Sequence, residues 1–150
     1  MSLKATIMTD MKAAMKSKDQ AALRTLRALK SAIMNVETSA GRNDEPLSED
    51  EEMKLLVKQA KQRRDSMQQY IDNGREDLAS VEKEELEVIE RYLPKALAPE
   101  EIEAQVKAIM AEVGASSMKD MGKVMGIASK KMAGQADGKD ISAVVKRLLS

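Results

Sequence analysis

From Leu3 the apolar side chains Leu3, Ile7, Met8, Met11, Ala14 and Met15 recur at spacings of three and four, which marks one face of a helix. Ser2 is placed to cap it. Lys18 and Asp19 break the pattern, and Asp19 offers a carboxylate to the free N–H groups of a second helix that carries Leu23, Leu26, Leu29, Ile33, Met34 and Val36 inward. The two predict a helical hairpin. Gly41 to Pro46 is turn chemistry, and Ser48 with Glu51 forms a capping box for a long third helix through Met53, Leu56, Val57, Ala60, Met67 and Ile71. Asn73-Gly74 ends it.

A fourth helix is expected from about Ser80, with Val81, Leu86, Val88, Ile89 and Leu93 inward, stopping at Pro94. The stretch from Pro94 to Pro99 is the best boundary, dividing the chain into an N-terminal multi-helix subdomain, residues 1–94, and a small C-terminal three-helix subdomain, residues 95–150. In the second part Pro99 stands at a first helical position, and Ile102, Val106, Ile109, Met110 and Val113 face inward until Gly114. Ser117 with Asp120 opens the next helix and Gly134 closes it. Asp140 is expected to cap a last helix bearing Ile141, Val144, Val145, Leu148 and Leu149. Composition agrees with an all-α fold: Phe and Trp are absent, only Tyr70 and Tyr92 are aromatic, and Leu, Ala and Met suit helices better than strands.

With 150 residues the chain can bury a real core. The lack of cysteine removes disulfides, thiol nucleophiles and thiolate metal sites, and no apolar run is long enough for a signal core or a spanning helix. These features lead to the expectation of a cytoplasmic, non-membrane protein. No histidine titrates near neutrality, and no phosphate-binding glycine loop or calcium loop is present, so no catalytic residue, cofactor or metal is assigned. The twelve methionines read first as core filler.

Charge changes the picture, because a net of zero hides three blocks. Residues 1–42 hold 8 basic against 3 acidic residues, residues 43–94 hold 8 against 15, and residues 95–150 hold 9 against 7. Two basic features stand out. Lys58, Lys61, Arg63 and Arg64 make a locally basic surface on the third helix. In "MKDMGKVMGIASKKMAG", Gly122 and Gly126 lie four apart, and Lys119, Lys123, Lys130 and Lys131 surround them with Asp120 the one acid. Each interior glycine costs a helix about 1 kcal/mol relative to Ala. Two explanations stand: tight packing within the tail, or a bare ridge where a nucleic-acid backbone reaches the helix and lysines hold its phosphates. With so few aromatics, shape recognition of a folded RNA suits the chain better than base stacking.

The stretch "VKQAKQRRDSMQQYIDNGREDLASVEKEELEVIERYLPKAL", then "EVGASSMKDMGKVMG" and "GQADGK", resembles the free-standing YqeY-like proteins of the GatB/YqeY family. The resemblance implies two helical subdomains, the second similar to the tail by which the B subunit of tRNA-dependent amidotransferases grips tRNA. It makes Lys119, Gly122, Lys123, Gly126, Lys130 and Lys131 the RNA-contact candidates, with tRNA as partner and an aminoacyl-tRNA synthetase or amidotransferase as a further one. An amidotransferase label would be inherited from that tail, since nothing here resembles the domains that perform amidation. Gln135 departs from the family pattern, where a basic residue often stands. The expected function is a non-catalytic tRNA-binding accessory; the alternative is an adaptor that docks helix on helix with a translation-related enzyme.

Overall fold

The computed structural model describes residues 2–150, and among them every regular element is helical. The chain divides into two compact units, Met1–Leu93 and Pro94–Ser150.

The first unit holds α1 (Leu3–Ser17), α2 (Gln20–Glu37), α3 (Glu49–Asp72) and α4 (Glu76–Glu90). The Ser2 hydroxyl accepts from the Ala5 amide, and the Asp19 carboxylate accepts from the Ala22 amide. Lys18 takes a left-handed conformation, φ 59°, so that α1 turns into α2 without a loop. α1 packs on α2, α2 on α4 and, more lightly, on α3, while α3 and α4 pair most extensively. Ile7, Leu29, Ala60 and Ile89 are completely buried at the centre of this unit.

Before α3, Arg42 folds the connecting turn onto the helix N-terminus: its guanidinium donates to both Glu51 carboxylate oxygens and to the carbonyls of Glu45 and Pro46. Glu51 also accepts from the Ser48 amide, and the Ser48 hydroxyl accepts from the Glu51 amide. The Arg42 hydrogen bond and the Ser48 amide hold the Glu51 carboxyl at about 2. After α4, the buried part of the Tyr92 ring packs on the core and its hydroxyl donates to Asp10 on α1.

The second unit holds α5 (Pro99–Val113), a 3-10 turn (Met118–Asp120), α6 (Met121–Lys131) and α7 (Gly138–Leu149). Its core joins Ile102, Val106 and Ile109 of α5 to Val124, Ala128 and Met132, and to Ile141, Val145 and Leu149. Gly114 ends α5 in the left-handed conformation, φ 69°.

Several boundaries and burials differ from expectation. α4 starts at Glu76, one turn before Ser80, although Arg75 supplies no side-chain cap. Asp137, not Asp140, caps α7, accepting from the Lys139 amide. Met34, Val36, Ile71 and Val81, read as inward, are exposed, as are Met8 and Met15. Each is at the border of its apolar stripe or near a helix end, where the helix has no neighbour to receive it.

Candidate nucleic-acid interface

α6 is a short helix whose buried side is Val124 and Ala128, continued by Met132 just past its end. These recur at spacing four, and Met121 and Met125 border them. The opposite side falls to Gly122, Lys123, Gly126, Ser129 and Lys130, all exposed. Gly122 and Gly126 thus share the face that looks away from the bundle. Beyond the helix's own backbone and the adjoining residues, a Cβ placed on either would meet no heavy atom within 4 Å. Tight packing within the unit, one of the two explanations open from sequence, is not what these glycines serve.

The lysines are free around this strip. Lys119 on the 3-10 turn and Lys123, Lys130 and Lys131 on α6 are exposed, and none joins the ion pairs among the described residues. Lys123 and Lys130 flank the glycines on the same outer face, whereas Lys131 lies towards the edge of the core side. Asp120 is occupied, accepting from the amides of Ser116 and Ser117 at 3.0 and 3.3 Å. Gln135 is half-buried, its backbone carbonyl accepting from the Leu97 amide at 2.8 Å. A turn tied in this way serves the frame of the unit.

Three further exposed residues were not singled out in the sequence. Ser129 continues the small-residue strip of Gly122 and Gly126. Lys139 and Lys146 on α7, seven apart and both exposed, lie on the flank turned away from Arg147, which is held to Glu103 of α5 at 3.0 Å. Their spacing, with Ser142 and Ala143 between, was the signal.

The basic surface expected on α3 is dispersed. Lys58 and Lys61 are exposed, but Arg63 is turned inward, where it meets Gln59 and, at 3.7 Å, Glu85 of α4. Arg64 is half-buried. Burial raises the carboxyl of Glu82 and Glu85 adds to the shift, while hydrogen bonds from Lys107 and Arg147 lower that of Glu103. Neither carboxylate lies on α6, and that of Glu103 is held in ion pairs with Lys107 and Arg147. A cleft of about 190 Å³ in the first unit touches Leu3, Lys4, Glu37 and Glu52, below the roughly 300 Å³ at which ligand pockets begin. Two of its carboxylates are partnered: Glu37 with Lys4 at 2.8 Å, Glu52 with the Leu3 amide at 3.1 Å. Among the described residues no group of His, Cys, Asp and Glu is poised to hold a metal, and no helix is long and apolar enough to cross a membrane.

The family profile described as Yqey-like protein matches residues 4–149, nearly the whole chain. The protein belongs to the YqeY-like family. Relatives in fungi carry the name "Altered inheritance of mitochondria protein 41, mitochondrial". That of Vanderwaltozyma polyspora is 35% identical over 118 residues, covering 75% of this chain and 63% of the relative. That of Kluyveromyces lactis is 31% identical over 145 residues, covering 95% and 73%. That of Pyrenophora tritici-repentis is 29% identical over 147 residues, covering 95% and 78%. The match to the Vanderwaltozyma and Lachancea thermotolerans proteins thus spans 63% and 60% of their length.

These names correct the expectation of a cytoplasmic protein, since the relatives of this YqeY-like chain are named as mitochondrial. The expectation rested on the lack of cysteine and of a long apolar run in this sequence, which argue against an oxidising compartment and a spanning helix and do not distinguish between the remaining compartments.

Proposed function

We propose that this YqeY-like protein is a non-catalytic accessory that binds tRNA through the outer face of α6. The observation that carries the reading is the bare strip at Gly122 and Gly126, open to solvent with nothing beyond the helix's own backbone and the adjoining residues within 4 Å of either Cβ position. A helix that forgoes about 1 kcal/mol at each of two positions without using the space internally has left that space for something outside the chain. The flanking lysines support a phosphate backbone as that partner. Lys119, Lys123 and Lys130 border the strip as unpaired cations, the arrangement that suits a phosphate backbone lying against a helix.

With no aromatic side chain in the second unit, single-stranded bases have nothing to stack on, and recognition falls to phosphate spacing and groove shape. The likeness of the second unit's sequence to the tRNA-gripping tail of amidotransferase B subunits directs the choice to tRNA. An aminoacyl-tRNA synthetase or amidotransferase is the enzyme such an accessory would serve. The test is competition at near-physiological salt between bulk or mitochondrial tRNA and a duplex RNA of equal length. A shape reader prefers tRNA; equal competition by the duplex, or no binding of either, rejects the reading.

A further inference from the structure

Three of the methionines expected in the core lie on the surface, and they lie together. Met8 and Met15 of α1 are 43% and 52% exposed, and Met34 of α2 is 44% exposed. The Lys4–Glu37 ion pair, at 2.8 Å, fixes which flanks of the two helices adjoin. Along α1, Lys4, Met8, Met11 and Met15 follow at spacings of four, three and four, so the methionines continue the flank of Lys4. Along α2, Glu37, Met34, Lys30 and Arg27 step back by three, four and three on the flank of Glu37. Because the helices are antiparallel, Met8 lies towards the Met34 end and Met15 towards the Arg27 end.

The other flank of α2 is taken by α4, where Arg24 meets Glu84 and Glu85 at 3.3 Å each. Two antiparallel helices leave an outer groove along their seam, and the spacing sets the three methionines beside it. Its rim is basic: Lys12 and Lys16 follow the methionines on α1, and Arg27 and Lys30 border them on α2. None of these four joins an ion pair among the described residues, although Lys4 and Arg24 of the same helices do.

We propose that this groove docks an acidic amphipathic helix of a partner protein, with its apolar stripe on Met8, Met15 and Met34 and its carboxylates on Lys12, Lys16, Arg27 and Lys30. Two adjoining helices with a seam between them receive a third helix in the manner of a bundle, and flexible thioethers adapt to the side chains it brings. The charge follows from complementarity, since residues 1–42 hold 8 basic against 3 acidic residues. Phosphates would engage the rim and leave the methionines wet. A bilayer would gain little, because the exposed apolar groups on this flank are methionines without Leu, Phe or Trp.

The experiment uses the full chain and a fluorescein-labelled synthetic peptide of roughly six helical turns, with a leucine stripe bordered by glutamates, beside the same peptide carrying glutamine for glutamate. Anisotropy should report binding of the glutamate peptide at least about tenfold tighter than the glutamine peptide. The double variants Arg27→Glu, Lys30→Glu and Met8→Ser, Met34→Ser should each weaken it by about tenfold. Both alter exposed or half-exposed positions, and unchanged circular dichroism and melting verify that they fold. Equal binding of the two peptides overturns the proposal, as does binding that neither double variant weakens. It is also overturned if the Met8, Met34 variant loses binding to anionic vesicles or to tRNA but keeps the peptide, or if sedimentation shows that the face is filled by a second copy of this chain.

Discussion

Replacing Gly126 by Ala places a methyl group where, beyond the helix's own backbone and the adjoining residues, no heavy atom lies within 4 Å, on a helix position with ordinary helical backbone. Nothing has to move to admit it. The substitution should therefore stabilise α6 by the full propensity difference, about 1 kcal/mol. In a unit of this size a gain of about 1 kcal/mol is a factor of about five in its opening equilibrium. Hydrogen exchange on the full chain reads it: the most protected amides of α6 and α7 should exchange about fivefold more slowly, while those of α2 and α3 stay unchanged. Gly126→Leu carries the reasoning to function. Leucine is nearly as good a helix former as alanine, so protection should again rise, but its side chain stands on the strip that a backbone would approach. Affinity for tRNA should fall by about tenfold or more even as the helix becomes more stable. A drop in protection for Gly126→Ala would mean that the glycine serves internal packing after all. Undiminished tRNA binding by Gly126→Leu would refute the strip as a contact surface.

The clamp between Arg42 and Glu51 makes the first unit sensitive to acid. The Glu51 carboxyl is held at about 2 in the folded chain against 4.5 ordinarily, so its contribution is fully present above pH 4.5 and is lost as pH falls towards 2; acid titration of melting temperature should show a shallower loss in that window for Glu51→Gln, and identical curves would reject the clamp. Burial and the hydrogen bond to Asp10 raise the Tyr92 phenol above its usual range. Tyrosinate absorbance should therefore contain a late step that Tyr92→Phe removes, with a stability cost of about 1 kcal/mol. Ile109 is completely buried in the second unit, so Ile109→Ala should cost about 2–5 kcal/mol. Hydrogen exchange should then show α5, α6 and α7 losing protection while α3 keeps it; loss in all helices together would mean that the two units do not open separately.

The helices themselves were legible because their signals are local. Asp19, the Ser48–Glu51 box and Gly114 satisfy backbone groups within a turn of their own position, and the structure contains all three contacts. Legibility failed where a partner decides. α4 begins at Glu76 and buries Ala79 in its first turn, although Arg75 is no capping residue. Asp137 and Asp140 both suit a helix start, and the turn after Gly134 favours the first. Val36, Ile71 and Val81 fit an apolar period, but periodicity does not say whether a neighbouring helix reaches that side.

The same distinction governs the site. Spacing alone placed Gly122 and Gly126 on one face, but whether that face was packed or bare depended on α5 and α7, and the structure leaves it bare. Arg63 read as one cation among four until Glu85, on another helix, drew it inward. Compartment was not legible, because a composition that argues against secretion does not separate the remaining compartments, and the relatives are named as mitochondrial.

The central claim is that phosphates lie on the outer face of α6. The most direct test is the slope of log affinity for tRNA against log salt, for the wild-type chain and for Lys123→Gln and Lys130→Gln. Each variant should bind more weakly and lower the slope by about one unit, the signature of one lost phosphate contact. Slopes and affinities equal to those of the wild type in both variants would contradict the account.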